Sequence, residues 1–147
     1  MSVQAMKKVL VPFDGSESAK RALLYLVEFV KQVPDLEIHL LNVQGHPIMY
    51  GDYVAGPMLE TLVNAAREHG RKINAKGLEL LRAHGLEASA HEELGETVGE
   101  IAKAVSLFGC DTVVMGTRGM SNFSNLVMGS VATRVVHEVT VPVLLVK

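Results

Sequence analysis

The sequence lacks the features of secreted, membrane-spanning and nucleic-acid-binding proteins. Its one cysteine, Cys110, cannot form an internal disulfide, which is typical of a reducing compartment. No apolar run approaches the roughly 18 residues of a membrane span, and the start, MSVQAMKKVLVPFDG, lacks the apolar core of a signal peptide. Lysine and arginine number 14 against 16 acidic residues, so there is no basic excess for nucleic acid. These absences predict a cytoplasmic protein that is not membrane-embedded and binds no nucleic acid.

Tryptophan is absent and aromatic residues make up only 5% of the chain, yet the composition is otherwise that of a globular protein. Hydrophobic residues make up 48% and charged residues 20%. The 147 residues predict one domain over residues 1–147, since domains usually have about 100–200 residues. A chain of this size can bury about 70% of its surface, which is enough for a real core.

Short apolar runs alternate along the chain with longer segments in which apolar residues recur at helical spacing. The predicted strands cover residues 7–13, 36–43, 86–91, 111–116 and 142–146, and the predicted helices cover 17–32, 58–84, 98–108 and 130–139. Strands that alternate with helices imply a parallel sheet with helices on both faces. We therefore expect an α/β, Rossmann-like fold with a single five-stranded parallel sheet in the order 3-2-1-4-5.

Local signals mark where several of these helices begin and how they pack. Ser16 or Ser18 is expected to cap the first helix, and Thr97 is expected to open a capping box at the third. Gly70 and Gly77 fall on the apolar face of the second helix, which indicates close packing against the sheet. Residues 44–57 fit neither period and predict a long loop, either a lid or partner surface or a mobile connection.

The last predicted strand is apolar on both faces, although the predicted order puts it at an edge of the sheet. An exposed edge leaves backbone hydrogen-bonding groups unpaired. A second copy of the same strand is the simplest cover, so we expect a homodimer joined through residues 142–146.

In open α/β sheets, ligands bind beyond the carboxyl ends of the strands, where the strand order reverses. The predicted order puts that point between strands 1 and 4. Strand 1 leads into Asp14, and strand 4 leads into GTRGMSNFSNLVMGSVATRVV, residues 116–136. Asp14 suits the ribose of a nucleotide because a carboxylate accepts hydrogen bonds from hydroxyls, although it could equally serve only a turn and cap.

The glycine-rich stretch after strand 4 favours a bulky anion such as polyphosphate. Gly116 and Gly119 are expected to let the backbone approach it closely, and Arg118 to add a charged contact. Gly129 and Ser130 begin a helix whose free N–H groups and dipole favour negative charge. The alternatives are a plain strand-ending glycine at 116 and a solvated surface charge at 118.

The spacing Gly-x2-Gly-x9-Gly-Ser at residues 116–130 resembles the signature of ATP-binding members of the universal stress protein family. The stretch VLVPFDGSESAKRAL, residues 9–23, resembles that family's first strand and helix, and the resemblance covers nearly the whole chain. It implies that ATP is bound by Pro12, Asp14, Val43, Met115, Gly116, Arg118, Gly119, Gly129, Ser130 and Val131. In this assignment Asp14 and the backbone at Val43 hold the adenosine end. The spacer MSNFSNLVM departs from many relatives because it has no basic residue.

The resemblance implies a stress-response protein that senses a nucleotide and regulates a partner such as a membrane transporter, as a homodimer or a higher oligomer. The sequence has no Walker A lysine and no obvious acidic pair for Mg²⁺, which favours binding over hydrolysis. Any Mg²⁺ would be held mainly by the phosphates. No catalytic or metal-ligating residue is predicted, and the six histidines are expected at the surface or in packing. A slow ATPase and a dimeric stress protein with an empty nucleotide site are the alternatives.

Overall fold

The computed structural model describes residues 6–47, 56–117 and 128–147. Strands and helices alternate as β1 (Lys8–Pro12), α1 (Glu17–Val30), β2 (Glu37–Gln44), α2 (Pro57–Ala83), β3 (Ser89–Leu94), α3 (Thr97–Phe108), β4 (Thr112–Gly116), α4 (Ser130–Glu138) and β5 (Val143–Val146). The five strands form one parallel sheet in the order β3-β2-β1-β4-β5. The predicted α/β fold class and strand order are confirmed.

The helices cover both faces of the sheet and bury a separate apolar cluster on each. On one face, Leu23 and Leu26 of α1 pack with Val9 of β1, and α2 lies on the same side. On the other face, Ile101 of α3 and Val135 of α4 pack over the remaining side of the sheet. Successive strand residues point to opposite faces, so β1 and β4 contribute alternate residues to the two clusters.

The helix boundaries follow the predicted signals except at α3. Ser16 caps α1, where its Oγ accepts a hydrogen bond from the N–H of Ala19 at 3.1 Å. Glu96, rather than Thr97, is the N-cap of α3, and its carboxylate accepts from the N–H of Gly99 at 2.7 Å. The prediction of a capping box opened by Thr97 is therefore wrong. Glu96 could not be recognised as the N-cap from the sequence, because Glu is not among the usual N-cap residue types. No helix within the described ranges is long and apolar enough to cross a membrane.

Strand β3 lies three residues further along the chain than predicted. The prediction was 86–91, whereas the strand covers Ser89–Leu94 and pairs with β2 from His39 onward. Leu86 still belongs to the end of α2, since its N–H donates to the carbonyl of Leu81 at 2.9 Å. Pairing with β2 sets where this edge strand begins, and the alternation of its own side chains does not.

The two glycines on the buried face of α2 allow the helix to lie close to the sheet. A Cβ at Gly77 would lie 2.9 Å from Cδ1 of Leu40 and 3.0 Å from Cε1 of Phe13. A Cβ at Gly70 would lie 2.7 Å from Oδ1 of Asn42. The predicted close packing at both positions is confirmed.

A stack of three rings fills the space between α3 and the β2–β3 edge of the sheet. The rings of His91 and Phe108 have centroids 3.9 Å apart, and those of His39 and Phe108 are 5.3 Å apart. His39 Nδ1 lies 3.0 Å from His91 Nε2, and His39 Nε2 lies 2.7 Å from a carboxylate oxygen of Glu37. These contacts link Glu37, His39 and His91 in one chain. Burial, and then the neighbouring His39, lower the pKa of His91.

We predict that the folded state loses stability as the pH falls through about 6.5, the ordinary histidine pKa. Folding lowers the pKa of His91, so below about pH 6.5 the unfolded chain binds a proton at His91 more readily than the folded chain does. The free energy of unfolding therefore rises as the pH increases from the folded-state pKa of His91 to about 6.5. Thermal unfolding of the wild type from pH 7.5 to 5.5 measures the loss. His91→Gln should flatten the profile, whereas substitution of the exposed His69 by Gln should not. An unchanged profile in His91→Gln would contradict the assignment.

Candidate functional site

The reversal of strand order opens a cavity at the carboxyl ends of β1 and β4. These strands are neighbours in the sheet, yet α1 lies on one face of the sheet and α4 on the other. A space therefore remains at the carboxyl ends of β1 and β4, between the start of α1 and the start of α4. The cavity has a volume of about 310 Å³, at the lower end of the range for small-molecule sites.

Eight of the ten predicted site residues line this cavity, and they come from four separate parts of the chain. They are Pro12, Asp14, Val43, Met115, Gly116, Gly129, Ser130 and Val131. The other two, Arg118 and Gly119, lie outside the described residues. The described part of residues 44–57 comprises 44–47, 56 and 57, and none of these lines the cavity.

Sequence analysis missed the contribution of α3 to the lining. Thr97 and Ile101, one turn apart at the start of α3, form part of the wall, and the buried Asn42 of β2 also lines the cavity. The order of elements along the chain already indicated this contribution. Because α3 follows the parallel strand β3, its first turn must lie on the same side of the sheet as the carboxyl ends of β1 and β4. Only the two strands that flank the reversal were expected to border the site.

Helix α4 presents an uncapped N-terminus to the cavity. Gly129 is its N-cap in an extended conformation, with φ −73° and ψ 165°, and no described side chain caps the first turn. That turn also carries no acidic residue. By contrast, the side chains of Ser16 and Glu96 cap α1 and α3. Within the described residues, α4 is therefore the one of the three helices around the cavity that begins with neither a side-chain cap nor an acidic residue to offset its positive dipole end.

Asp14 is exposed at the mouth of the cavity on a turn fixed by its own side chain. Its Oδ1 accepts a hydrogen bond from the N–H of Ser16 at 2.9 Å, and Gly15 adopts a positive φ of 79°. The alternative role considered from sequence, a turn residue, is therefore real. That role uses one carboxylate oxygen, and the other oxygen is not needed by the turn.

An ion pair joins the two helices that border the cavity on the α3–α4 face. Arg134 Nη1 lies 2.6 Å from Oε1 of Glu96, and its second nitrogen lies 3.6 Å from Glu138. The N–H of Gly99 and then Arg134 lower the pKa of Glu96 below its ordinary value. Because both partners are about half exposed, the pair adds little stability, and it links the N-cap of α3 to the middle of α4.

The structure gives Gly116 a different role from the one expected. A Cβ at Gly116 would overlap the hydroxyl of Ser18 and lie 2.7 Å from the backbone carbonyl carbon and oxygen of the same residue. The glycine is thus required by the close packing of α1 on β4. The expectation that its missing side chain makes room for an anion is corrected: the space is taken by α1, although the residue still lines the cavity.

Comparison with known proteins agrees with this architecture. The sequence model described as the universal stress protein family matches residues 6–147. The chain belongs to the universal stress protein family. It is 28% identical to universal stress protein YxiE of Bacillus subtilis (strain 168), over 95% of this chain and 98% of that protein.

Solved structures of universal stress proteins share the fold. The protein MJ0577 superimposes with a TM-score of 0.82 at 28% identity, over 97% of this chain and 96% of that one. A universal stress protein solved in complex with cAMP has a TM-score of 0.70 at 19% identity, over 98% of this chain and 99% of that one. An Arabidopsis thaliana member with AMP bound has a TM-score of 0.68 at 22% identity, over 96% and 91% of the two chains.

We predict that Gly116→Ala lowers the free energy of unfolding by about 2 kcal/mol, because a methyl group there must displace the backbone of α1. Gly45→Ala is the matched control: its Cβ would meet no atom within 4 Å. Urea denaturation without added nucleotide measures both variants. Equal stability of the two variants would show that α1 does not require a glycine at 116.

Proposed function

We propose that this universal stress protein binds an adenine nucleotide, ATP in particular, in the cavity between β1 and β4. The observation that carries the proposal is the first turn of α4, which no described side chain caps and which lines the same cavity as a carboxylate, Asp14. Free N–H groups and a helix dipole suit phosphate. A carboxylate acceptor and apolar walls suit a nucleoside.

The proposed pose divides the lining residues between the two ends of the nucleotide. Pro12 and Met115 pack against the base and sugar, while Asp14 and the backbone at Val43 bind the adenosine end by hydrogen bonds. The phosphates are bound by Gly116, Arg118, Gly119, Gly129, Ser130 and Val131. Mg²⁺ accompanies ATP as an ion bound chiefly through its phosphates.

Two further observations support an adenine nucleotide as the ligand. Universal stress proteins of the same fold have been solved with cAMP and with AMP bound. The cavity is lined by the apolar residues Pro12 and Met115, by the carboxylate Asp14 and by the first turn of α4, and these groups suit the base, the ribose and the phosphates of such a molecule. The triphosphate is proposed because α4 presents several N–H groups in succession.

We propose that occupancy of this site is the signal that the protein conveys to a partner. A nucleotide bound at the first turn of α4 contacts the helix that Arg134 ties to Glu96 of α3. Both ionised side chains are on the surface, so a shift of α4 changes what a partner contacts. The stress-related role of the family is consistent with a regulatory module of this kind.

Two reciprocal substitutions test the proposed pose. Asp14→Ala should weaken ATP and adenosine binding alike, by roughly tenfold for a lost charge-assisted hydrogen bond, and leave tripolyphosphate nearly unaffected. Ser130→Pro removes one N–H at the first position of α4, where proline is tolerated, and should weaken ATP and tripolyphosphate but not adenosine. Isothermal titration calorimetry with the three ligands measures the pattern.

Asp35→Ala is the control for charge, because the exposed Asp35 precedes β2 and so lies at the amino ends of the strands, away from the cavity at their carboxyl ends. It should leave all three affinities unchanged. The proposal fails if the wild type binds neither ATP nor adenosine. The pose fails if Asp14→Ala and Ser130→Pro weaken the same ligands.

We also propose that two copies associate through β5. The strand lies at an edge of the sheet, is made of Val143, Leu144, Leu145 and Val146, and none of the four is fully buried. Exposed apolar side chains lie on both flanking helices: Tyr25 is 43% exposed on α1 and Val136 is 44% exposed on α4. A second β5 would pair the free edge and cover this apolar surface.

Leu145→Pro should convert the dimer to a monomer. The carbonyl of Pro142 accepts from the N–H of Val113 in β4, and that of Val146 accepts from the N–H of Thr117 just after β4, so the alternation of a strand directs the backbone of Leu145 outward. Proline there removes an outward N–H and leaves the pairing with β4 intact. Leu145→Ala loses the same side chain but keeps the N–H, and should remain dimeric. Native mass spectrometry distinguishes the two, and a dimeric Leu145→Pro variant would exclude pairing through this edge.

A further inference from the structure

We propose that Asn42, a buried amide in β2, is a positioning residue that fixes the Asp14 turn at the mouth of the cavity. The inference rests on the proposed nucleotide function for its consequence, but its structural basis is independent of any ligand. Asn42 is 2% exposed and is one of few polar side chains in the core. A buried amide is costly unless its hydrogen bonds are satisfied, so what it bonds to matters.

Asn42 extends the pairing of β1 and β2 one residue beyond the strand. The N–H of Phe13 donates to the carbonyl of Leu41 at 2.8 Å, and Nδ2 of Asn42 donates to the carbonyl of Phe13 at 2.9 Å. Both backbone polar groups of Phe13 are therefore held by β2. Asp14 is the next residue, so the direction in which its carboxylate leaves the sheet is set at Phe13.

Two neighbours fix the orientation of the Asn42 amide. Nε2 of Gln44 donates to Oδ1 of Asn42 at 2.8 Å, which identifies the oxygen and directs Nδ2 toward Phe13. Helix α2 closes over the same oxygen at Gly70, where a Cβ would lie only 2.7 Å away. A side chain at position 70 would therefore push against the amide.

This arrangement connects α2 to the cavity, although no residue of α2 lines it. The connection runs from Gly70 through the Asn42 amide to the carbonyl of Phe13, and from there to Asp14. If Asn42 acts in this way, its loss should loosen the turn and weaken binding only at the adenosine end. The loss of Asn42 should have no further effect on binding in a chain in which Asp14 is already replaced by alanine.

Asn42→Ala tests the inference in two independent ways. Without ligand, amide hydrogen exchange at Ser16, whose N–H donates to Asp14, should become at least tenfold faster. With ligand, ATP and adenosine should bind about tenfold more weakly, while tripolyphosphate binding changes less than twofold. In an Asp14→Ala background, Asn42→Ala should cost less than a further twofold, as expected for residues acting through one another.

The matched control is Asn74→Ala. Asn74 is a second buried amide and lies on the sheet-facing side of α2 itself, where its Nδ2 donates to the carbonyl of His91 and to Glu92 on β3, away from the cavity. This variant should lose stability while Ser16 exchange and ATP affinity stay within twofold of the wild type. Gly70→Ala, which presses on Asn42 without removing it, should reproduce the Asn42→Ala pattern and serves where Asn42→Ala does not fold.

The outcomes separate this inference from the proposed function. Unchanged Ser16 exchange in Asn42→Ala overturns the positioning role whether or not ATP binds. A full tenfold loss of affinity in the Asp14→Ala background also overturns it, because Asn42 would then act by another route. A wild type that binds no ATP overturns the proposed function alone, since faster Ser16 exchange in Asn42→Ala would still support the positioning role.

Discussion

The placement of α1 and α4 on opposite faces of two neighbouring strands is the constraint on which the candidate site depends. After β1 the chain turns toward the α1–α2 face, and α4 packs on the other face beside β4. Two adjacent parallel strands whose chains diverge must leave a crevice at their carboxyl ends. The N–H of Gly129 donates to the carbonyl of Thr117 at 2.5 Å, which ties the start of α4 to the end of β4 at this point.

The parts of the fold that could be predicted from sequence are those set by local pattern and chirality. Alternating strand and helix periods, with right-handed connections, leave few sheet orders, and the order 3-2-1-4-5 follows. The start of β3 could not be predicted in the same way, because Leu86 is bound to the end of α2 and pairing with His39 sets the start. The cap at Glu96 was missed because it depends on a residue type with no capping preference.

The glycines show how one sequence pattern can combine residues with different structural roles. Gly116 belongs to a pattern that resembles a nucleotide-binding signature, yet the structure requires it for contact with Ser18 of α1. Gly129 has the role expected of it, since it begins α4 without a side-chain cap. The pattern thus combines one residue needed for packing with one that begins α4 at the cavity. The two roles could not be distinguished from the sequence, because both residues are glycines near the carboxyl end of β4.

The long-range polar contacts were beyond sequence analysis for a related reason. Asn42 and Phe13 are 29 residues apart, and Glu96 and Arg134 are 38 apart, so no local period links them. Their energetic roles differ. The exposed ion pair is screened by water, whereas the buried amide acts in a medium of low dielectric, where an unpaired group is costly. A buried polar contact of this kind favours one arrangement of the chain over near alternatives. Here that arrangement holds Asp14 at the mouth of the cavity, so the core of the sheet and the geometry of the site depend on the same hydrogen bond.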